Sequence, residues 1–292
     1  MKENLSNKKF LILIEKKVRN TIRKYKLFSK KEKIVVAVSG GKDSTTCLYI
    51  LKQLGFNIEA ITIDVSIGKY TKTNLENIKI FCENLNVPLH IYSLKNEFKI
   101  SLKTIKSILK KQDINYSYCM ICGILKRYLL NKYTRELNFD CVVTGHNLDD
   151  ESQAFIMNVF RNDFKLALRQ GPIPGIVDCN KFIKKVKPLF FITEEDIRKY
   201  SKIKNFSINY NKCPYSKDSF RNDFKEMLNG FELKYPSIKY NIVHFQQSIK
   251  EKIINNKSKS DSTVNISLCK ICSEPSSKET CKACSIITKI VK

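Results

Sequence analysis

The sequence predicts an α/β protein built on a doubly wound parallel sheet. Short, almost uninterrupted apolar runs alternate with segments of helical periodicity, as in sheets that helices cover on both faces. A glycine-rich turn joins the first apolar strand of this alternation to a helix. The chain has 292 residues, of which 42% are hydrophobic, so it can form one large domain with small appendages or two domains.

A basic helix is predicted ahead of the first strand. Residues 1–33 contain 12 Lys or Arg and only three Asp or Glu. Apolar side chains recur among them at helical spacing: Phe10, Ile14, Val18, Ile22 and Tyr25. This pattern is typical of an amphipathic helix that leads into the main domain.

Strands and helices then alternate. Strands are predicted at 33–38, 57–64, 87–92 and 139–144, and helices at 45–54, 74–85, 101–111, 120–137 and from Asp149 onwards. Thr193-Glu194-Glu195-Asp196 resembles a capping box that opens a further helix, and 215–255 is helical and basic. The chain thus divides into an N-terminal basic helical segment (1–32), a main domain (33–210), a helical extension (211–255), a polar linker (256–265) and a cysteine-rich end (266–292).

The charge of the chain favours a polyanionic partner. There are 53 Lys or Arg against 28 Asp or Glu, a formal net charge of +25, and basic side chains release counterions when they bind phosphates. A genomic bias towards Lys and Asn would explain the composition equally well. The longest apolar runs, at 11–14 and 34–38, are far below the ~20 residues of a membrane helix. Because no secretory signal is recognisable either, we expect a cytoplasmic protein that does not bind a membrane.

The turn Ser39-Gly40-Gly41-Lys42-Asp43-Ser44 is a candidate phosphate site. It follows an apolar strand and opens a helix, whose first N–H groups attract an anion. The glycines let the backbone approach a ligand, and Lys42 adds positive charge. The spacing matches neither Walker A nor G-x-G-x-x-G. An ordinary strand–helix connection is the alternative, but the whole hexapeptide in this context favours phosphate binding.

Three of the eleven cysteines suggest an iron–sulfur site. Cys119 and Cys122 are spaced C-x-x-C at the start of a predicted helix, so their thiols lie on one side of a turn. Alone, this pair would suit a redox couple or two core thiols nearly as well. Cys213, followed by Pro214, strengthens the metal interpretation, since three cysteines can ligate three irons of a cubane and leave the fourth open.

A second cysteine group predicts a zinc ribbon at the C-terminus. Cys269, Cys272, Cys281 and Cys284 form two C-x-x-C pairs in one short basic segment. This spacing is typical of tetrahedral zinc, and four thiolates leave no open position, so a structural role is expected. Disulfides or a second cluster are the weaker alternatives.

Together these motifs resemble the PP-loop superfamily of N-type ATP pyrophosphatases, and within it the tRNA 2-thiouridine synthetases. The resemblance covers most of the chain from about residue 33 onwards. Besides 39–44, it is carried by Ile67-Gly68-Lys69-Tyr70, Cys119-x-x-Cys122-Gly123, Lys126-Arg127-Tyr128, Gly145-His146-Asn147-Leu148-Asp149-Asp150-Glu151, Arg169-Gln170-Gly171-Pro172 and Cys213-Pro214. It implies an adenine nucleotide alpha hydrolase-like fold that cleaves ATP between the α and β phosphates and adenylates a carbonyl oxygen.

The resemblance also implies roles for individual residues. ATP is expected to lie against Ala37, Val38, Ser39, Gly40, Gly41, Lys42, Asp43, Ser44, Ile63, Lys126, Gly145 and Asp150. Lys126 and Asp150 are expected to be catalytic, together with Cys119, Cys122 and Cys213, which would bind a [4Fe–4S] cluster. Asp149 and Asp150 could hold Mg²⁺ on the ATP phosphates, or Asp150 could accept a proton.

The expected activity is ATP-dependent 2-thiolation of a tRNA uridine, in which the C2 oxygen is adenylated and sulfur is then transferred. Resemblance to enzymes of the T-loop favours position 54 over the wobble position 34. Synthesis of 2-thiocytidine is the runner-up, although those enzymes usually lack a C-terminal ribbon. A tRNA-binding scaffold with a vestigial PP-loop is the non-enzymatic alternative. Sulfide or a thiocarboxylated sulfur-carrier protein would donate the sulfur, and relatives suggest a homodimer.

The N-terminus departs from this resemblance. The 2-thiouridine synthetases usually carry a second zinc ribbon there, whereas residues 1–33 contain neither Cys nor His. The basic helix is therefore the candidate for the RNA contacts that such a ribbon would make.

Overall fold

A parallel sheet of five strands forms the centre of the molecule. The computed structural model describes residues 6–175, 183–216, 220–256 and 267–291. The strands are β1 Ile34–Ala37, β2 Ile58–Asp64, β3 Leu89–Ser93, β4 Cys141–Thr144 and β5 Lys184–Val186, and they lie in the order β3-β2-β1-β4-β5. All neighbouring strands run parallel. This confirms the predicted doubly wound sheet, in which a crevice opens where the strand order reverses beside β1.

The helices agree with the prediction in type and differ at some ends. They are α1 Asn7–Lys24, α2 Lys42–Gln53, α3 Gly68–Asn84, α4 Leu94–Phe98, α5 Leu102–Lys111, α6 Tyr118–Glu136, α7 Leu148–Phe160, α8 Phe164–Leu168, α9 Glu194–Ile203, α10 Phe220–Lys234, α11 Ile238–Asn256 and α12 Lys282–Val291. A 3₁₀ turn spans Pro214–Ser216, and a hairpin pairs β6 Ser267–Leu268 with β7 Pro275–Ser276. Helix α3 begins at Gly68 rather than at the predicted position 74, and β5 was not predicted.

Helix α1 packs on one face of the sheet as its periodicity predicted. Phe10, Ile14, Val18 and Ile22 are buried in the core cluster that includes α2, β1 and α9. The hydroxyl of Tyr200 in α9 also donates to Glu15 at 2.7 Å, which is a second tie between the two helices. The basic residues of α1 are left on its outer face.

The C-terminal hairpin and α12 dock on α6. Ala283 and Ile286 of α12 are buried in the cluster formed by α5 and α6. Glu274 in the hairpin accepts a hydrogen bond from Asn131 and pairs with Arg135, both on α6. The ribbon is thus part of the main body of the protein. The predicted linker falls mainly on residues 257–266, outside the described residues, and the other domain boundaries stay predictions.

None of the helices that the structure describes is long and apolar enough to cross a bilayer.

Candidate active site

The glycine-rich turn leaves β1 and opens α2 at the crevice. Gly40 has a φ of +75°, which a residue with a side chain rarely adopts, and a Cβ there would stand 2.5 Å from the carbonyl oxygen of Asn74 in α3. Gly41 is the N-cap residue of α2 and supplies no side-chain hydrogen bond to the first turn. The first N–H groups of α2 are therefore open to an anion.

The two serines of the turn hold its shape. The backbone N–H of Ser39 donates to Oγ of Ser44 at 3.1 Å, and this hydroxyl donates to the carbonyl of Gly41 at 3.2 Å. Val38 continues the strand, since its N–H donates to Ile61 at 2.9 Å. The predicted nucleotide neighbours Ala37, Val38 and Ile63 lie at the carboxyl ends of β1 and β2, beside this turn.

Acidic and basic groups converge on the turn. The ammonium of Lys42 lies 3.0 Å from both Asp43 and Glu194, the first residue of α9. Burial lowers the pKa of Lys42, but the two carboxylates more than offset it, so the pKa is raised. The other oxygen of Asp43 accepts from the side chain of Asn147 at 2.9 Å. Lys42 therefore carries a persistent positive charge at the N-terminus of α2.

Asp150 faces the phosphate turn, whereas Asp149 is bonded to other parts of the protein. Asp150 closes a capping box with Asn147 and pairs with Arg221 at 3.3 Å, and burial raises its pKa. Asp149 is buried, and its oxygens accept from Lys239 and from the backbone N–H of Glu194. Asp149 is thus engaged in an internal ion pair, and the hypothesis that both aspartates hold one Mg²⁺ stays a prediction.

Cys213 lies beside the two thiols of α6. Sγ of Cys119 donates to the carbonyl of Tyr215 in the 3₁₀ turn at 3.4 Å. Burial raises the pKa of Cys119 and of Cys122, and the charge of Cys213 raises both further. Among the described residues, the C-terminal quartet is the one group of three or more Cys, His, Asp or Glu placed to hold a single metal ion. Cys119, Cys122 and Cys213 are not such a group, and three thiols can instead bind three different irons of a cluster.

Tyr70 and Asn74 connect the phosphate turn to these thiols. Asn74 packs directly on Gly40, and Tyr70 lies one turn before it in α3. Burial raises the pKa of Tyr70, and the charges of Cys213 and Cys122 add to this effect. Both residues lie in α3, so one helix spans the distance between the turn and the cysteines.

Lys126 lies one helical turn after Cys122 on α6. Its charge lowers the pKa of Cys122, against the larger effect of burial. No ion pair or hydrogen bond occupies its ammonium among the residues that the structure describes, so the group is available to a ligand. The structure therefore brings Lys126 to the thiols and leaves its predicted contact with ATP as an expectation.

The C-terminal quartet forms a compact sulfur site. The four Sγ atoms of Cys269, Cys272, Cys281 and Cys284 all lie within 4.8 Å of one another. Backbone N–H groups donate to the sulfurs. For example, the N–H of Cys281 donates to Sγ of Cys269 at 3.3 Å. Burial raises the pKa of Cys269, but these hydrogen bonds outweigh it and lower the pKa to about 6. Such a compact set of four sulfurs fits one tetrahedral metal ion.

Several residues of the site were not singled out from the sequence. The sequence presents Glu194 only within a capping motif, and it gives no sign that Asn147 bonds to Asp43 or that Arg221 pairs with Asp150. The contacts of Glu194 and Arg221 join segments far apart in the chain. A local motif gives no sign of such contacts.

Comparison with known proteins agrees with this geometry. Residues 12–229 match the PP-loop domain family. The chain is 36% identical to a tRNA-5-methyluridine(54) 2-sulfurtransferase of Pyrococcus horikoshii, over 96% of this chain and 86% of that protein. It is 31% identical to the protein of the same name from Thermotoga maritima, over 99% and 91%. The solved U34-tRNA thiolase NcsA from Methanococcus maripaludis, with its [4Fe–4S] cluster, superimposes with a TM-score of 0.80 at 28% identity, over 97% of this chain and 89% of that one.

The family match covers most of the chain, and the relatives match it nearly from end to end. The sheet order, the phosphate turn and the sulfur ligands come from the structure independently of those matches. The chain therefore belongs to the PP-loop family, among its ATP-using tRNA 2-thiolation proteins.

Proposed function

We propose that this protein is a tRNA 2-thiouridine synthetase that acts on position 54 of the T-loop. The observation that carries the proposal is helix α3, which packs on Gly40 through Asn74 and, one turn earlier, places Tyr70 within the electrostatic influence of Cys122 and Cys213. It joins a phosphate-binding turn to a three-thiol site, which are the two parts that adenylation and sulfur transfer need. The two relatives named for position 54 share more residues with this chain than the U34 thiolase does, which favours 54 over 34.

Adenylation is assigned to the crevice beside β1. The uridine C2 oxygen attacks the α-phosphorus of ATP, the bond to the β-phosphate oxygen breaks, and pyrophosphate leaves. The N–H groups of α2 and the charge of Lys42 stabilise the phosphates, and Lys126 reaches the charge that develops at the α-phosphate. The partly exposed carboxylate of Asp150 either binds the Mg²⁺ of the nucleotide or accepts a proton. Sulfur then bonds to C2, the C2–O bond breaks, and AMP leaves.

Cys119, Cys122 and Cys213 are proposed to hold a [4Fe–4S] cluster. None of the three forms a disulfide, and they are not placed to hold a single ion, so the cubane is the better fit for them. When bound, the cluster would offer an open iron that holds a sulfide. The charge of Lys126 beside Cys122 would favour the thiolate form of this ligand. Cys269, Cys272, Cys281 and Cys284 are proposed to bind Zn²⁺ with a structural role.

The proposed partners follow from the surface. The basic outer face of α1 fits the tRNA backbone. Exposed apolar side chains on α7, α8 and α10 fit a second copy of this chain, as a homodimer; they include Phe160, Phe164 and Phe231. Sulfide or a thiocarboxylated carrier protein would supply the sulfur. A cytoplasmic location is proposed because the described thiols are all free.

Analysis of thionucleosides tests this function. The anaerobically reconstituted protein, with ATP, sulfide and tRNA from cells that lack the gene, should form 2-thiouridine or its 5-methyl derivative at position 54. Cys213→Ala should abolish the product, whereas Cys82→Ala, a change at a buried thiol remote from the site, should retain it. Product at position 34 would replace the proposed target, and no thionucleoside with an intact cluster would contradict the proposal.

A further inference from the structure

A chain of alternating charges runs from the phosphate turn to α10. Lys42 of the turn lies 3.0 Å from Glu194 of α9, and Lys225 of α10 lies 2.7 Å from the other oxygen of Glu194. We propose that Glu194 is a positioning residue, an inference that rests on the proposed function. Glu194 holds the Lys42 ammonium for the adenylation step and ties it to α10.

The backbone of Glu194 is fixed from the opposite side. Its N–H donates to Asp149 at 2.7 Å, and Asp149 in turn pairs with Lys239 of α11. The side chain of Thr193 caps the same helix end, accepting from Asp196 at 3.1 Å. With its backbone bonded to Asp149 and its carboxylate bonded to Lys225, Glu194 is a fixed partner for Lys42.

The pair is sheltered from solvent. The side chain of Lys42 is 12% exposed and that of Glu194 is 19% exposed. In such surroundings an ion pair is less screened than at the surface, so it fixes the lysine more firmly. Asp43 is the other carboxylate on Lys42 among the described residues, and Asn147 already engages it. Without Glu194, Lys42 would keep one anionic partner and would no longer be linked to α9.

Glu194 places a negative charge next to the expected site of a polyphosphate. That charge opposes ATP binding, so binding alone would be better served by a neutral residue. The benefit of a fixed lysine comes in the transition state, where its charge must be aimed at the reacting phosphates. A positioning role therefore predicts opposite effects on ATP affinity and on turnover.

Lys225 connects Glu194 to α10, the helix that follows Cys213 in the chain. The 3₁₀ turn that follows Cys213 ends at Ser216, and α10 begins at Phe220. From this helix, Arg221 pairs with Asp150 and Lys225 pairs with Glu194. Through these two contacts, α10 touches both acids that flank the phosphate turn.

Steady-state kinetics of tRNA-dependent AMP formation test the inference. In Glu194→Gln, kcat should fall by about tenfold while KM for ATP falls by roughly two- to fivefold. Glu194→Asp should restore part of kcat. The matched control Asp196→Asn, which removes a charge from the same helix turn, should leave both constants within about twofold.

Lys225→Met supplies a second test at a more exposed position. Its kcat should fall in the same direction, and the double variant with Glu194→Gln should be no worse than Glu194→Gln alone, because Lys225 acts through Glu194. An unchanged kcat in Glu194→Gln, or a parallel loss of kcat and ATP affinity, would overturn the inference. If the wild type formed no AMP with tRNA, the proposed function would fail first. The ATP dissociation constants of the wild type and Glu194→Gln would then still test the pairing.

Discussion

Gly145, which directly follows β4, lies against the backbone of Ser44 in the first turn of α2. A Cβ at Gly145 would stand 2.7 Å from the nitrogen of Ser44 and 2.8 Å from the carbonyl carbon of Asp43. The parts of the crevice contributed by β1 and β4 thus touch through a residue without a side chain. The phosphate turn can hold this position because Gly145 has no side chain.

Gly145→Ala should displace the turn and weaken ATP binding by about tenfold or more, because backbone atoms cannot yield as a flexible side chain can. The fold should persist, since overpacking at one site typically costs about 1–3 kcal/mol. ATP titration by calorimetry and circular dichroism would measure the two effects. Gly230→Ala in α10, where no atom lies within 4 Å of the added methyl group, is the control and should bind ATP normally. Equal affinity in the two variants would show that this close approach does not shape the site.

The basic face of α1 should supply part of the tRNA affinity. Lys16, Lys17 and Arg19 are exposed, and replacing all three by Gln should weaken binding and lower the salt dependence. The slope of log K against log salt should shrink by about 0.7–0.9 for each tRNA phosphate that the variant no longer neutralises. Filter binding at several salt concentrations measures it. The same reduction of charge on α5, by Lys103→Gln, Lys110→Gln and Lys111→Gln, controls for net charge, and an identical slope change there would argue against a specific role of α1.

The C-terminal quartet should bind one zinc ion per chain, measured by elemental analysis of the purified protein. Cys272→Ser should lose the metal, since a structural zinc site needs all four ligands. Because α12 depends on the ribbon for its place on α6, limited proteolysis should then release the C-terminal segment. Cys82→Ser, at a thiol buried elsewhere, should retain zinc and resist the protease. Full zinc occupancy in Cys272→Ser would exclude the four-sulfur site.

The ion pairs of Glu194 should make stability depend on pH. Burial raises its pKa, but hydrogen bonds from Lys225 and Lys42 outweigh this effect and lower the pKa from 4.5 to about 2. A carboxyl whose pKa is lower in the folded state stabilises it above the unfolded value. That contribution, up to about 3 kcal/mol here, is lost as the pH falls from 4.5 to 2.

Urea unfolding of the wild type and of Glu194→Gln at pH 7 and pH 3 tests this dependence. The difference in unfolding free energy between them should shrink by about half or more at pH 3. With Asp196→Asn in place of Glu194→Gln, the difference from the wild type should stay small at both pH values. A gap for Glu194→Gln that is the same at pH 7 and pH 3 would contradict the lowered pKa.

Much of the fold could be predicted because local signals and final packing agree. The run that became β1 is apolar throughout and buried, and the four cysteines of the ribbon are close in sequence and in space. The phosphate turn was predictable for the same reason, since its glycines, its strand and its helix are contiguous.

What could not be predicted depends on partners distant in the chain. Strand β5 consists of Lys184, Lys185 and Val186, a sequence with no strand signal, and it is formed by its pairing with β4. Asp149 and Asp150 are neighbours in sequence, but successive residues of a helix point in different directions. Lys239, which captures Asp149, is 90 residues further along. Only the folded structure shows that Asp149 and Asp150 have different partners.

The docking of the ribbon on α6 has a consequence for the order in which the protein is made. Asn131 and its partner Glu274 are 143 residues apart, so a nascent chain emerging from the ribosome displays α6 long before its covering segment has been translated. The helix that carries Cys119 and Cys122 gains this packing partner only after the residues between Asn131 and Glu274 have been synthesised. A premature stop codon ahead of the ribbon would therefore leave the apolar side of that helix bare in an otherwise folded product, a target for chaperones and proteases.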